Sequence, residues 1–526
     1  MGVISSTPVP IKIQIKDIEY AKEEYILDSV NFSQDLKWLS KACTAVSKNK
    51  KVSKAVFKLF LYECHNEKLG KGIALALNTK KSFALYGSGL EFLKSNKWTS
   101  IWQSARIQSL SIKLDLPEEA FQNLTKGLET NHTIKTLTFK YLNFSHIQML
   151  ARALKVNKTV QELNILFDQR PMRVNQEDDH LSVSSYAAST AHSSVGQVQL
   201  LSQNTSVTTY RLAGYLESYT PMLLIGLVSN QHVKCLKLET LDLDRDANSF
   251  WSQALGANKS IKEIQTHRGL NTLTSMIVFT CLKKNTTVQK LTLNESTFYE
   301  GGFIVLKSLL ETNNSLKELE LNDMLYLGRS SLEVEVQSKN ISGLLGGLEV
   351  NTSLERLQIS LHPSVLSTEI PGIFQSPQVR SSVHSCLLNN VTLKSLEIVN
   401  YKLSGEEIEA IAEGLKQNKS VEKLDLRGNL MGWNELELLV TSVVQNSVLK
   451  CLDVSSNKIL KFQEVSKLRG TEAQLEAVGC AQNVFSHYKQ TTIKELQVND
   501  WFWEIRQYPK DLHELVLQAK QHRKSL

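Results

Sequence analysis

One phrase recurs along the chain and limits what it can fold into. The pattern is Asn-x-Ser/Thr-apolar-x-x-Leu-x-apolar. It is clearest at Asn418-Lys-Ser-Val-Glu-Lys-Leu-Asp-Leu426, at Asn313-Asn-Ser-Leu-Lys-Glu-Leu-Glu-Leu321 and at Asn285-Thr-Thr-Val-Gln-Lys-Leu-Thr-Leu293. Further copies start at Asn131, Asn157, Asn204, Asn258, Asn351, Asn390 and Asn446, and weaker ones at Ser104, Asn230 and Gln490. Of the twelve steps between successive starts, eight are 26 to 28 residues long. A fixed period of this size marks a repeat array, in which each unit buries its apolar side only against its neighbours.

Two hydrophobic periods define one unit. Leu424 and Leu426 are two apart and point to one face of a short strand, while Lys423 and Asp425 point to the other. Arg427-Gly428-Asn429 follows as a turn. Before each phrase lies a helix: over 406–417 the residues Ile408, Ile411, Ala412 and Leu415 keep the i, i+3, i+4, i+7 spacing, and Ser404 with Glu407 fits a capping box. The segment 434–445 repeats this with Leu436, Leu439, Val440 and Val443. Each unit is therefore strand, turn, helix and return, and stacking the units gives a parallel ladder with helices on its other side.

The phrases Leu424-Asp-Leu-Arg-Gly-Asn429 and Leu452-Asp-Val-Ser-Ser-Asn457 resemble the core Leu-x-Leu-x-x-Asn of leucine-rich-repeat proteins. The step of about 28 residues with a full helix resembles the ribonuclease-inhibitor-like subclass. The resemblance implies an α/β solenoid, a horseshoe with parallel strands on the concave face and helices on the convex face. It covers 104–500, with 31–103 expected as degenerate capping repeats, 1–30 as an N-terminal segment and 501–526 as a C-terminal cap helix. Only Asn429 and Asn457 keep the asparagine that closes the turn; Leu142, Asp168, Tyr215, Leu241, Gly269 and Tyr401 stand there in other copies, which predicts irregular turns.

Composition narrows the setting. The chain has 526 residues, 42% apolar and 21% charged, so it is neither disordered nor membrane-like. Its net charge of +7 is a weak bias over this length and gives no argument for nucleic acid. Seven cysteines, widely spaced and without a Cys-x-x-Cys pair, suggest reduced thiols in the cytoplasm. No apolar run reaches the roughly 18 residues of a membrane span.

The largest insertion, at 168–198, carries Gln176-Glu-Asp-Asp-His180 and many serines, the composition of a solvated loop. The start Met-Gly-Val-Ile-Ser-Ser6 fits the N-myristoylation pattern with Gly2 as acceptor. A single acyl chain predicts weak, reversible membrane association. Ile11, Ile13 and Ile15 alternate with polar residues like an edge strand. At the other end Trp501 and Trp503 are either part of a cap or an aromatic anchor for a partner.

No catalytic pattern stands out. The chain lacks Gly-x-x-x-x-Gly-Lys-Ser/Thr, His-Glu-x-x-His and Gly-x-Ser-x-Gly. Cys451-Leu-Asp453 has the form of a bacterial ubiquitin-ligase motif but falls within a repeat strand. The Asn-x-Ser/Thr triplets at Asn131, Asn157, Asn258, Asn285, Asn351 and Asn418 occupy one fixed place per repeat, which favours a structural role over glycan attachment. The expectation is a non-catalytic scaffold with no cofactor and no metal.

The outward strand positions define the surface such a scaffold offers. They run Ser111, Thr138, Asn164, Arg211, Lys237, Gln265, Thr292, Glu320, Gln358, Glu397, Asp425, Asp453 and Gln497, neutral to basic first and acidic later, with Lys290, Arg356, Lys423, Glu263 and Glu318 alongside. Candidate contacts with a protein partner are Arg211, Lys237, Glu320, Arg356, Glu397, Lys423, Asp425 and Asp453 on the concave face. Two other functions remain open for such an array: a GTPase activator resembling that of Ran, or a secreted bacterial effector.

Overall fold

The period-two and period-3.6 segments alternate in three dimensions as they do in the sequence. The computed structural model describes residues 24–28, 36–60, 67–88, 90–167, 200–215, 220–242, 247–267, 272–296, 300–323, 331–361, 373–504 and 507–525. Gly2, the isoleucine alternation at 11–15 and the insertion at 168–198 lie outside them. The chain divides into two units, Met1–Ile261 and Lys262–Leu526.

In the first unit the described strands are β1 (Glu24–Asp28), β2 (Lys54–Phe60), β3 (Ser82–Ser88), β4 (Ser109–Leu114), β5 (Thr136–Lys140), β6 (Glu162–Leu166), β7 (Thr209–Tyr215) and β8 (Cys235–Asp242). Each pairs in parallel with the next. Leu110, Leu137, Leu163, Tyr210 and Leu236 stand in register as one buried column, and Ile112, Phe139, Ile165, Leu212 and Leu238 as a second. Helices such as Glu118–Thr130 and Phe144–Val156 cover these columns from one side only. The segment expected to be degenerate, 31–103, forms β2 and β3 with the helices Leu36–Lys48 and Glu67–Thr79 between and before them, in the same parallel register.

In the second unit the described strands are β9 (Glu263–His267), β10 (Lys290–Asn294), β11 (Glu318–Asn322), β12 (Arg356–Ser360), β13 (Ser395–Val399), β14 (Lys423–Asp425), β15 (Cys451–Asp453) and β16 (Glu495–Gln497). They too pair in parallel, in sequence order. Ile264, Leu291, Leu319, Leu357, Leu396, Leu424, Leu452 and Leu496 make one buried column, each worth about 2 kcal/mol of apolar burial. The helix Gly405–Gln417 buries Ile408, Ile411, Ala412 and Leu415, and the Glu407 carboxylate accepts the Ser404 N–H at 3.1 Å. Each unit is a stack of leucine-rich repeats.

The recurring asparagine stitches one repeat to the one before it. Asn157 donates its amide hydrogens to the carbonyls of Leu128 (2.6 Å) and Asn131 (3.1 Å), and its Oδ1 accepts the N–H groups of Thr159 (2.8 Å) and Val160 (2.9 Å). Leu128 lies in the last turn of the preceding helix, where carbonyls have no partner within the helix. Asn230, Asn258, Asn313, Asn351, Asn390 and Asn446 repeat this fourfold pattern. The Ser/Thr two places on adds a hydroxyl donor to the same neighbour, as from Ser260 to Asn230 O and from Ser353 to Asn313 O. The triplets are thus structural: the asparagines are buried, with their amide groups committed to the backbone.

A second recurrent feature sits four residues after the first core position of a strand. Tyr141, Gly214, Glu295, Asp323, Asn400, Gly428 and Ser456 all have positive φ there. Where Asn429 follows, its Oδ1 accepts from Tyr401 N (2.9 Å) and Leu403 N (3.1 Å) in the neighbouring repeat. At Gly428, whose φ is 70°, glycine is further favoured because a Cβ would collide with Asn400 Oδ1.

The C-terminal segment closes on itself through aromatic contacts. Phe485 meets Phe502 (5.3 Å between ring centroids), Phe462 meets Tyr508 (5.5 Å) and Tyr488 meets Trp503 (5.8 Å). The helix His513–Ser525 follows and sets the Arg523 guanidinium 5.0 Å from the Trp503 ring centre.

Candidate partner-binding face

The outward side chains of each ladder lie opposite the helices and are fixed by strand register. In the second unit they form a charge network. Arg356 donates Nη1 to Glu320 (2.7 Å), Nε to Glu397 (2.9 Å) and Nη2 to Gln358 (2.7 Å), and lies 3.5 Å from Glu318. Lys290 reaches Glu320 at 2.9 Å, Lys423 reaches Glu397 at 3.2 Å, and Thr292 donates to Glu320 at 2.9 Å. Farther along, Arg427 pairs with Asp425 (2.8 Å) and Asp453 (3.5 Å).

This network buries its acids. Glu320, Glu397, Asp425 and Asp453 are exposed by 9%, 3%, 1% and 7%. Burial by itself pushes the Glu397 carboxyl up; the hydrogen bond and charge of Arg356, with Lys423 behind them, more than reverse that and hold it below its ordinary value. The Arg356 guanidinium is stabilised in return, first by its hydrogen bond to Glu397. The four carboxylates thus neutralise cations of the same ladder, and the partly exposed atoms are those of Arg356, Lys423 and Arg427. A second row at the strand entrances alternates Lys317, Glu355, Lys394, Glu422 and Lys450, with Lys394–Glu355 at 2.9 Å and Lys450–Glu422 at 2.7 Å.

The first unit is different. Its outward positions over β3–β7 are mostly short: Ser82, Ala84, Ser109, Ser111, Thr136, Thr138 and Thr209. Arg211 pairs with Glu239, while Lys237 makes no ion pair among the described residues. Lys113 lies 5.1 Å from the Tyr86 ring centre and Lys140 lies 4.4 Å from that of Tyr141, whose hydroxyl it also reaches at 2.8 Å. Asn164 donates to Thr138 Oγ1 at 3.1 Å, but its Oδ1 has no partner, nor has Ser111 Oγ.

The predicted residues therefore separate. The structure brings Glu320, Arg356, Glu397 and Lys423 into one network and Asp425 with Asp453 into another, both in the second unit. Arg211 and Lys237 belong to the first unit and share neither. Trp503 packs against Tyr488 in the C-terminal segment, its carbonyl taking the Lys520 ammonium at 2.8 Å; the side chain of Trp501 lies outside the described ones. Sequence reasoning missed Arg427 as the partner of both aspartates, and Lys113 with Tyr86. Extending the strand register by one outward position would have found Lys113 beside Tyr86, whereas Arg427 lies on the turn past the end of its strand.

Among the described residues no group of three or more His, Cys, Asp or Glu is placed to hold a metal, and no helix is long and apolar enough to cross a membrane. Burial, followed by the Glu495 carboxylate 3.5 Å away, pushes the Cys451 thiol up to about 11, so it is not a thiolate at neutral pH. Burial likewise pushes Cys386 and Cys480 up to about 12.

No family model matches the chain, and no curated protein matches it. Solved structures similar to it include the C-terminal domain of Caenorhabditis elegans tropomodulin, 11% identical with a TM-score of 0.24, covering 42% of this chain and 93% of that one. Another is actin-binding site 2 of leiomodin-1, 15% identical with a TM-score of 0.22, covering 38% of this chain and 94% of that one. Each spans less than half of this chain.

Proposed function

We propose that this chain is a scaffold of the ribonuclease-inhibitor-like subclass that binds another protein through the strand face of its repeats and carries out no catalysis. The observation that carries the reading is the polar strand side of the first unit: a row of short side chains with cations beside it, held on a rigid ladder. A rigid polar surface with few ordering losses suits recognition of a macromolecule. Among the predicted contacts, Arg211, Lys237, Arg356 and Lys423 are the cations with partly exposed side chains; Glu320 and Glu397 position Arg356 and Lys423, and Asp425 and Asp453 position Arg427. The site of action in this reading is the cytoplasm, with weak membrane attachment where Gly2 is acylated.

Proximity labelling in cells with a C-terminal tag tests this. Bulky blocks on the strand faces, Thr136→Trp in the first unit and Val399→Trp in the second, are compared with helix-side controls, Lys126→Trp and Lys416→Trp. Loss of specific labelling with a strand-face block alone supports the reading. Labelling lost only with the helix-side changes refutes the binding face, and accelerated GTP hydrolysis by an added small GTPase refutes the non-catalytic part. Gly2→Ala shows whether membrane-proximal labelling depends on the acyl site.

A further inference from the structure

We propose that the strand face of the first unit, over β3–β8, takes an acidic, extended polypeptide segment. This rests on the scaffold reading and adds the chemistry of its partner. Three observations lead to it. The first is charge. Lys113, Lys140, Arg211 and Lys237 occupy outward positions against the carboxylates of Glu162 and Glu239, and Lys81, Lys135 and Lys234 stand exposed at the strand entrances. The second unit neutralises its cations within its own ladder. In the first unit Arg211 does so through Glu239, while Lys81, Lys113, Lys135 and Lys237 have no carboxylate within ion-pair distance among the described residues.

The second observation is shape. Ser82, Ser109 and Thr136 stand in one register row, which Glu162 interrupts before Thr209, with Ala84, Ser111, Thr138 and Asn164 in the next. Short side chains let a backbone approach a sheet closely, and hydroxyls can serve as donors or acceptors to its amides. The third is unmet hydrogen bonding. Asn164 is 95% buried, points to the outward side between Thr138 and Arg211, and leaves its Oδ1 without a donor. Ser111 Oγ, two strands away in the same row, also has no partner. A buried acceptor without a partner is unfavourable, and a peptide N–H supplies what it lacks. When the segment docks, the side chains lying over Asn164 move aside, its amides meet Asn164 and Ser111, and its carboxylates meet Lys113 and Lys237.

A nucleic acid would use the same cations but would need free aromatic faces for its bases. Of the described rings beside this row, Tyr86 and Tyr141 already carry Lys113 and Lys140. That favours a polypeptide.

The test uses the full chain and a fluorescein-labelled decapeptide of alternating Glu and Ser, followed by fluorescence anisotropy. Peptides with Gln or Lys in place of Glu, and a ten-base oligothymidylate, are compared with it. Salt is raised from about 25 to about 250 mM, which shortens the screening length from about 20 to about 6 Å. The acidic peptide is expected to bind more tightly than the other three and to weaken with salt. Lys113→Gln with Lys237→Gln is expected to weaken it about tenfold. The charge-matched pair Lys339→Gln with Lys416→Gln, on helices of the second unit, is expected to leave it unchanged. Asn164→Leu separates ligand binding from structure: it should weaken the peptide while leaving the melting temperature unchanged or raised. The inference is overturned if the Gln peptide or the oligothymidylate binds as tightly, or if the Lys113/Lys237 pair has no more effect than its control. Either result, together with specific labelling lost in Thr136→Trp or Val399→Trp, would overturn the acidic-segment inference and leave the scaffold reading standing.

Discussion

Replacing Asn446 with Ala removes four hydrogen bonds at once. Its amide donates to Leu415 O (2.7 Å) and Asn418 O (3.0 Å), and its Oδ1 accepts from Val448 N (2.8 Å) and Leu449 N (2.9 Å). The partners are backbone groups of two adjacent repeats, so no side-chain rotation can rescue them. A net contribution of about 1 kcal/mol per bond gives a loss of about 4 kcal/mol, similar to deleting a buried leucine. In a repeat array this loss should be local, falling on the neighbouring interface before it spreads. Hydrogen exchange read at the amides of Val448 and Leu449 is therefore the sharper assay, and both should lose protection by two to three orders of magnitude, about 1.4 kcal/mol per tenfold. Asn446→Asp adds a directional check. It keeps an acceptor for the two N–H groups but turns a carboxylate toward two carbonyls, which raises the folded-state pKa above the unfolded aspartate value. Stability is then greatest below the unfolded pKa and is lost as pH rises through the folded one, so this variant should regain protection in acid. Protection within a factor of three of wild type in Asn446→Ala would refute the clamp.

Three further perturbations test other parts of the architecture. His146 is 1% exposed, stacks on Phe121 at 4.3 Å and has no hydrogen bond at either ring nitrogen. Burial lowers its pKa below the ordinary 6.5 despite the nearby charges of Asp115 and Glu118; the unfolded chain then binds the proton more readily, stability is present above 6.5 and falls as pH drops below it, and a urea midpoint in His146→Phe should lack that slope. Arg356→Ala leaves the buried Glu397 with Lys423 and Ser395, both at 3.2 Å, and should destabilise the second unit by about 2 kcal/mol at neutral pH, discounted from a fully buried pair because Arg356 is about a third exposed. The Glu397 carboxyl sits below its ordinary value in wild type, so its contribution is present above the unfolded pKa and lost as pH falls; the gap between wild type and variant should narrow as the solution is acidified, and a gap that does not change with pH would argue against this pairing. In the helix Thr220–Ser229 a Cβ on Gly226 would strike the carbonyl of Leu200, so Gly226→Ala should lower the melting temperature by an amount matching at least about 2 kcal/mol, against the gain of about 1 kcal/mol expected from helix propensity.

Legibility from the sequence followed how local each cause was. Ile408, Ile411, Ala412 and Leu415 predict their helix because the spacing that buries them is a property of the helix itself. The step between phrases predicts the register of Leu291 on Leu319 and of Leu424 on Leu452, since equal steps stack equal positions. That same step could have placed Asn157 beside Leu128, but the sequence carries no sign that a carbonyl there lacks a partner; the clamp belongs to two repeats together. Charge was harder still. Asp425 and Asp453 occupy the outward position of a strand, and alternation alone makes them solvent-facing residues. They are buried because Arg427, on the turn after β14, folds back across both, and a turn residue has no period to announce its direction. The same reasoning explains why outward acids were the weaker guide to a binding surface. A carboxylate between two lysine- or arginine-bearing strands is met by them before any partner arrives, whereas Lys113 and Lys237 of the first unit have no carboxylate within ion-pair distance among the described residues. In a parallel ladder the composition of the neighbouring strands, more than that of the strand itself, decides which charges stay available.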